Sequence, residues 1–517
     1  MLNRLTILLI IAILPQVSMA QEIAPYGYYL DAIRFSKTVT NGSARIQALG
    51  GSNVALGADI TSISGNPAGL GMYNRSDVSI TPGFNYSINN TSLNGSDVNN
   101  QNIYGTLDNI GIVINNTKDG IGGWLGGSFG FSVNKINDFN NEFKYGASNN
   151  QNSMVDYFIE SVDGMSVNNF PTLSNATDIS TLAYYTYLIG PWNVVDAAYP
   201  DDEYFSDITT FARPNLRQEE TVTTSGNQFQ WSLSYGGNLA DVLYVGFGIG
   251  VVSLDYTAQK SYVENSFDYS PDDPTYDPIT QIKLEEELKI KGTGFNSTFG
   301  LILRPVGFFR LGASITTPTV YNLDDTYNAS LAADWNNFFY GDIVGGDTVL
   351  NYMQGSTAEV ISKYSLNTPL KASVGTAIFL GKLGFITADI EYIDYSKAFL
   401  KAEGFSMNPD NDFIKANFTD ALNLKIGVEM RLDALRFRAG YALDNVPTTA
   451  DLNYQSSNQR ISGGAGLYLD AFYADFTIVN SQVKSNYSPY SLADNSQPNI
   501  DVKTNNFKGL LTLGYKF

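Results

Sequence analysis

Apolar and polar residues alternate with a period of two from about Asp77 to the last residue, Phe517. In residues 423–432, Leu424, Ile426, Val428, Met430 and Leu432 share one face, while Asn423, Lys425, Gly427, Glu429 and Arg431 share the other. A strand turns successive side chains to opposite sides, so this pattern predicts strands rather than helices. Residues 435–443 repeat it, with Leu435, Phe437, Ala439, Tyr441 and Leu443 facing away from Arg436, Arg438 and Gly440. The two-residue link Asp433-Ala434 between them fits a tight hairpin. Residues 243–251 set Leu243, Val245, Phe247, Ile249 and Val251 against Tyr244 and three glycines. Further strands are predicted over residues 128–133, 294–303, 308–316, 371–379, 383–392 and 461–469.

The final segment carries the same signal. Phe507, Leu511, Leu513, Tyr515 and Phe517 fall on one face, and Lys508, Thr512 and Lys516 on the other. A soluble β-sandwich also alternates. Here, however, faces that are wholly apolar stand opposite faces that carry Lys, Arg and Glu. That is the division between lipid and a wet lumen. Long polar stretches (134–226, 258–281, 322–363, 397–421 and 480–506) separate some strands and tight turns separate others, the asymmetry of an outer-membrane barrel. The fold class predicted is all-β: a transmembrane antiparallel β-barrel of roughly 14 strands.

The first residues support an outer-membrane location. Arg4 precedes an apolar run over residues 5–14, and Ser18-Met19-Ala20 supplies small residues, so residues 1–20 read as a signal peptide cleaved near Ala20. No later apolar run is long enough for a membrane helix, which leaves strands to do the spanning.

Composition then removes whole classes of function. Charged residues are only 16% of the chain, against the usual quarter, and 33 Tyr, 30 Phe and 47 Gly take their place. A formal net charge of −20 leaves no basic face for nucleic acid. With no Cys and no His, thiolate catalysis, a Ser-His-Asp triad and thiolate or imidazole metal sites are all excluded. No enzyme activity, metal or cofactor is expected. The acidic group Asp268, Asp272, Asp273 and Asp277 lacks the ordered spacing of a calcium loop and reads as a solvated loop.

Residues 43–70 (SARIQALGGSNVALGADITSISGNPAGL) do not alternate and are too apolar for a linker. Arg45, Gly50-Gly51, Asp59 and Asn66-Pro67-Ala68-Gly69-Leu70 resemble the N-terminal plug, or hatch, of the FadL/TodX family of outer-membrane transporters, here of a Bacteroidetes-like kind. Residues 291–305, 366–378, 383–396 and 422–447 look like the same family in the same order. The chain then divides into a signal peptide (1–20), an N-terminal plug segment (21–74) and a barrel with long extracellular loops (75–517). Asp59 is placed to cap a turn over residues 60–64, and Asn66-Pro67 to end it. Asp389 and Glu391 are candidate lumenal partners for Arg45.

The resemblance implies passive uptake of hydrophobic compounds, such as long-chain fatty acids or aromatic hydrocarbons, through a plugged barrel. The solute would leave through a gap in the wall, for which Pro82-Gly83 is the candidate strand break. Asp389, Glu391, Lys425, Glu429, Arg431, Arg436 and Arg438 are predicted to line the lumen. Tyr515 and Phe517 are predicted to carry the signal read by the barrel assembly machinery. Expected partners are a hydrophobic small molecule or lipid and the lipids of the outer membrane. The alternative, also implied by the resemblance, is a plugged barrel that binds a protein partner through its extracellular loops in a secretion or surface complex.

Overall fold

The computed structural model describes residues 27–37, 39, 42–117, 123–194, 196–210, 214–269, 277–340, 348–445, 447–449 and 457–517. The expected signal peptide (1–20), Asp272 and Asp273 lie outside them. Fourteen antiparallel strands close a barrel: β1 (Asp77–Leu93), β2 (Ser96–Thr117), β3 (Trp124–Asp138), β4 (Asn215–Leu239), β5 (Leu243–Asp268), β6 (Ile279–Val306), β7 (Phe309–Thr316 and Val320–Phe339), β8 (Val360–Asn367 and Lys371–Phe379), β9 (Gly384–Asp394), β10 (Asp420–Leu432), β11 (Leu435–Asp444), β12 (Asn458–Tyr468), β13 (Phe472–Tyr487) and β14 (Ile500–Lys516). Each pairs with its neighbour in sequence, and β14 pairs back onto β1 with Asp77 opposite Lys516. Ser76 and Phe517 exchange backbone hydrogen bonds, both 3.0 Å, at the end of that seam. Closure leaves no unpaired edge, the condition for strands in lipid.

The outward positions are those the alternation predicts. Val245, Phe247, Ile249, Val251, Phe295, Phe299, Leu301, Leu511, Leu513, Tyr515 and Phe517 are all exposed on the barrel surface. This apolar belt faces the hydrocarbon of the outer membrane. Asp433 adopts φ 51° in the predicted hairpin, with Leu432 paired to Leu435.

The extracellular side departs from the sequence reading. Residues 258–281 and 322–363 read as loops, yet β5 runs 26 residues to Asp268, β6 has 28, and β7 continues to Phe339. About 10 residues cross a membrane, so more than half of β6 stands above it. The cause is an inversion of the pattern. Above the row Asp255–Lys291–Asp324–Lys363, set side by side across β5 to β8, Lys283, Glu285, Glu287 and Lys289 point outward. Ile282, Leu284, Leu288 and Ile290 point inward. Water lies outside at this height, and the apolar side has turned to the interior. There Ile282 and Leu284 pack on two helices within residues 134–226, α3 (Met154–Val162) and α4 (Ile179–Tyr185), with Phe158, Leu182 and Trp335 in one buried cluster, while Leu288 and Ile290 join a second apolar cluster in the lumen. Ser153 caps α3 in a capping box with Asp156. These elements form a cap over the extracellular mouth.

Two of the wall's irregularities involve proline. At the predicted site, β1 itself is continuous through Pro82-Gly83, and the extra residue sits on β2, where Asp108 bulges between Asn109 and Leu107. Pro82 lacks an N–H, and the β1–β14 ladder omits Thr81 and Pro82, yet the register resumes unchanged at Gly83 and a 2.8 Å contact between the Thr81 and Thr512 hydroxyls bridges the strands. The larger interruption was not foreseen. Both β7 and β8 break at a Thr-Pro, with Pro318 between the pieces of one and Pro369 between those of the other. Hydroxyls stand in for missing ladder partners: Ser297 N donates to Thr317 Oγ1 at 3.0 Å and Thr319 N to Thr368 Oγ1 at 2.9 Å.

Because a closed barrel has no free edge to fray, the extracted protein should resist SDS and run ahead of its unfolded position until boiled. Removing Tyr515–Phe517 deletes the Ser76 pairing and the last outward aromatics; it should lower the amount of folded protein in the outer membrane several-fold, read as the heat-shifted band.

Candidate functional site

The lumen holds the chain's own N-terminal segment. Helix α1 (Tyr28–Ser36) packs beside α5 (Asn408–Asn417) high in the barrel. Tyr29 N donates to Asp410 Oδ1 at 3.0 Å, the Tyr29 and Phe413 rings lie 4.1 Å apart, and Tyr364 donates to Asp31 at 2.7 Å. Ile33 and Phe35 join inward residues of β5 to β9 in a single apolar cluster. Below it, α2 (Ala44–Ala48) begins at Ser43, whose hydroxyl accepts from Ile46 N. Asp59 accepts from Thr61 N and caps a 3₁₀ turn over Ile60–Ile63, as predicted; Asn66 caps a second turn, Pro67–Met72.

This segment is tied to strands around the barrel. Ala44 N donates to Thr512 on β14 (2.7 Å), Thr477 on β13 to Ala44 O (2.6 Å), Ser462 on β12 to Ala48 O (3.1 Å) and Ser234 on β4 to Ile63 O (2.6 Å). Gln47 reaches the bulged Asp108 on β2 at 2.8 Å. Close approach is possible because the wall is bare where the segment touches it. Gly236, Gly246 and Gly300 lie side by side on β4, β5 and β6, and a Cβ on any of them would collide with residues 66–71. Gly50 turns with φ 68°, and a Cβ there would stand 2.6 Å from Tyr441 O on β11.

Charge fixes the middle of the segment. Arg45 pairs with Asp59 (3.4 Å) and Glu429 (3.5 Å), not with the predicted Asp389 and Glu391. Glu429 also receives Arg438 (2.8 Å) and Arg431 (2.7 Å), and Arg438 pairs with Asp475 at 2.6 Å. Three cations thus meet three carboxylates around one buried Glu429. Asp389 instead accepts from Asn53 N (2.7 Å) and Val54 N (3.0 Å), which spends its charge on the segment's backbone. Glu391 pairs with Lys425 at 3.6 Å. Arg436 stands apart at the β10–β11 hairpin, where it donates to Leu435 O and lies over Tyr468. Asp475 and Tyr468, which donates to Asp475 at 2.8 Å, belong to the network and were missed. Asp475 falls between outward Phe472 and Phe476, so the same alternation could have found it.

Two of the cavities among the described residues lie within the lumen and its cap. A chamber of about 130 Å³ lies between the segment and the wall; Ser36, Asn53, Asn296, Thr319, Lys371 and Lys425 line it. Thr316, Thr317 and Thr368 at the β7–β8 break also border it, whereas Pro82-Gly83 does not. A second cavity of about 200 Å³ lies in the extracellular cap, walled by Tyr184, Tyr185, Tyr187, Phe205 and Tyr340. Tyr187 holds φ 62° there, an uncommon conformation for a side chain of that size. Nearby Asp207 is buried, and burial pushes its carboxyl up to about 6.

No family model matches the sequence, and no curated protein matches it. Among solved structures, the chain is similar to a Pseudomonas aeruginosa FadL homologue at 13% identity and TM-score 0.54, over 93% of this chain and 99% of that one. It is also similar to the TodX monoaromatic hydrocarbon channel in a deltaS2 mutant form at 10% identity and TM-score 0.50, over 92% of this chain and 98% of that one.

Arg438→Met would leave buried Asp475 with no ion-pair partner among the described residues and take one of three cations from Glu429; it should lower stability by about 3–5 kcal/mol, seen in the denaturant midpoint of the heat-shifted band. Arg45→Met should cost less, since its ion pairs are longer, 3.4 Å to Asp59 and 3.5 Å to Glu429 against 2.8 and 2.6 Å for Arg438. The folded cap binds the Asp207 proton more tightly than the unfolded chain, where Asp titrates near 4. That stabilisation is complete below about pH 4 and lost as pH rises through 6. Proteolysis of the cap should therefore speed up across that window, and Asp207→Asn should flatten the dependence. The architecture is the fold of the FadL-type transport barrels.

Proposed function

We propose that this protein is an outer-membrane channel for the passive uptake of hydrophobic compounds, with residues 43–70 acting as its plug. The observation that carries the reading is the occupied lumen: a wall of 14 strands whose interior is bonded to the chain's own N-terminal segment. An open water-filled bore would oppose such solutes, since each CH₂ exposed to water costs about 0.8 kcal/mol. The structures of similar fold are a FadL homologue and a monoaromatic hydrocarbon channel, which supports transport over catalysis. In this reading the aromatic cavity of the cap receives the solute. The exit in this reading is at the Pro318 and Pro369 break rather than at Pro82-Gly83, because the chamber is bordered by Thr316, Thr317 and Thr368 at the former and by neither residue of the latter.

Deleting residues 46–70 should leave a folded, heat-modifiable barrel, because the ladder begins at Asp77. Planar-bilayer conductance should rise as water fills the lumen, while uptake of a hydrophobic probe should fall. A wild-type protein that already conducts like an open pore would defeat the plug reading. Unchanged uptake with loss of a co-purifying protein would instead favour a partner-binding barrel.

A further inference from the structure

The cap over the extracellular mouth has a charge balance unlike the rest of the chain. Residues 145–212 hold nine Asp and Glu and not one Lys or Arg, whereas the whole chain has 31 basic residues to 51 acidic. Within this stretch α4 ends on a run of tyrosines. Tyr184, Tyr185 and Tyr187 line the cavity of about 200 Å³ together with Phe205 and Tyr340. The three tyrosines of the run are half-buried, and exposed Val194 also borders the cavity, so it communicates with the extracellular water. None of its described lining residues is a Lys or an Arg.

The rings are set to wrap a compact group rather than to sandwich a flat one. Tyr184 and Tyr185 meet at 74° with centroids 5.3 Å apart, and Tyr187 and Tyr340 meet at 72° and 5.4 Å. Their positions are fixed from behind. Tyr184 stacks on Phe170 at 4.8 Å, the Tyr185 hydroxyl donates to Pro171 O at 3.0 Å, and Trp335 Nε1 donates to Thr186 O at 3.0 Å. Tyr187 then takes φ 62° just past the helix, a position where Gly is the usual residue. Such uncommon backbone persists only where the surroundings impose it, and it gathers at ligand sites. An aromatic face is electrostatically negative, so rings of several orientations around one space favour a cation. The charges agree. Asp207 is buried two residues beyond Phe205, and burial followed by the charge of Asp207 pushes the Tyr340 phenol up. A carboxylate would meet no basic partner in the described lining, and a neutral ring would gain nothing from the acidic surroundings. At about 30 Å³ for each water in the liquid, the cavity holds roughly seven waters, room for a trimethylammonium head and the start of its chain.

We propose that the cap cavity binds a compact organic cation, an alkylammonium of the trimethylammonium kind, through the faces of its tyrosine rings and the charge of Asp207. That this cation is the transported solute, or its head, rests on the channel reading; binding at the cap stands by itself.

The test uses the full-length protein in a maltoside detergent, which carries no ammonium group. Salt is held at about 0.15 M, where the diffuse field of the acidic surface is screened, and pH at about 8, where Asp207 is ionised. Choline and its neutral carbon isostere 3,3-dimethylbutan-1-ol are titrated by calorimetry against wild type, Tyr185→Leu, Tyr340→Leu and Asp207→Asn. Heat-modifiable migration checks each barrel and limited proteolysis each cap. Choline should bind at least about tenfold tighter than the isostere, the range of a desolvated cation over aromatic faces. Each substitution should weaken choline by about three- to tenfold and leave the isostere within about twofold. Tyr185→Phe, which keeps the ring, should bind choline as wild type does, and this half-buried position keeps the test decisive should Tyr340→Leu fail to fold. Equal or weaker binding of choline than of the isostere, or binding that none of the folded variants changes, overturns the proposal. Octyltrimethylammonium distinguishes the sources of the cation: tighter binding than choline assigns the head of an amphiphile, equal binding a free cation, and both support the site. Proteoliposome uptake of octyltrimethylammonium and toluene separates this proposal from the channel reading. Variant-sensitive choline binding with no uptake of either probe removes the channel and keeps the site. Uptake of toluene with no preference for choline does the reverse.

Discussion

Lipid offers no hydrogen bonds, and this constraint organises the whole molecule. Every backbone group of the wall must find its partner in the next strand, so β14 must return to β1 and the sheet must enclose a lumen. Fourteen strands enclose more space than their inward side chains fill. The protein fills the remainder with its own first residues, and the inward glycines of β4, β5 and β6 are where that filling meets the wall backbone to backbone.

The filling is held by polar bonds of two kinds. Hydroxyls of inward Ser and Thr reach the segment's backbone from β4, β12, β13 and β14, which positions it without burying charge. Around Glu429, by contrast, three carboxylates and Arg438 are buried together, with Arg45 and Arg431 partly exposed beside them. A buried network of this sort contributes little net stability, but removing one member strands the rest, so it specifies a single docked position more than it strengthens the fold. Above the membrane the economy changes. There the outward faces carry Lys and Glu, and apolar residues turn inward to hold the cap helices.

Lumenal chemistry also explains where the wall can be irregular. Backbone away from regular pairing is tolerated at membrane depth only where side chains answer for it. At Pro318 and Pro369 the hydroxyls of Thr317 and Thr368 do so, and the chamber lies directly behind them. At Pro82 the hydroxyls of Thr81 and Thr512 bridge the seam, and the β2 bulge turns Asp108 inward to Gln47 and Lys508.

The period-two pattern by itself determined the barrel, the outward face of every strand it named, the tight hairpin at Asp433-Ala434 and the inward set that includes Lys425, Glu429, Arg431 and Arg438. These follow from local geometry, since a strand's two faces meet two solvents and each residue's side is set by counting. The cap at Asp59 was legible for the same reason, being a bond across two residues; Asn66, expected only to end that turn, also caps the next one. Tertiary structure decided what counting cannot reach. It chose Glu429 over Asp389 for Arg45, brought Asp475 into the network, and set the breaks of β7 and β8 side by side. It also turned stretches that read as polar loops into strands, because above the lipid the alternation persists while its meaning reverses. Only the position of water and of the cap helices says which face is inside.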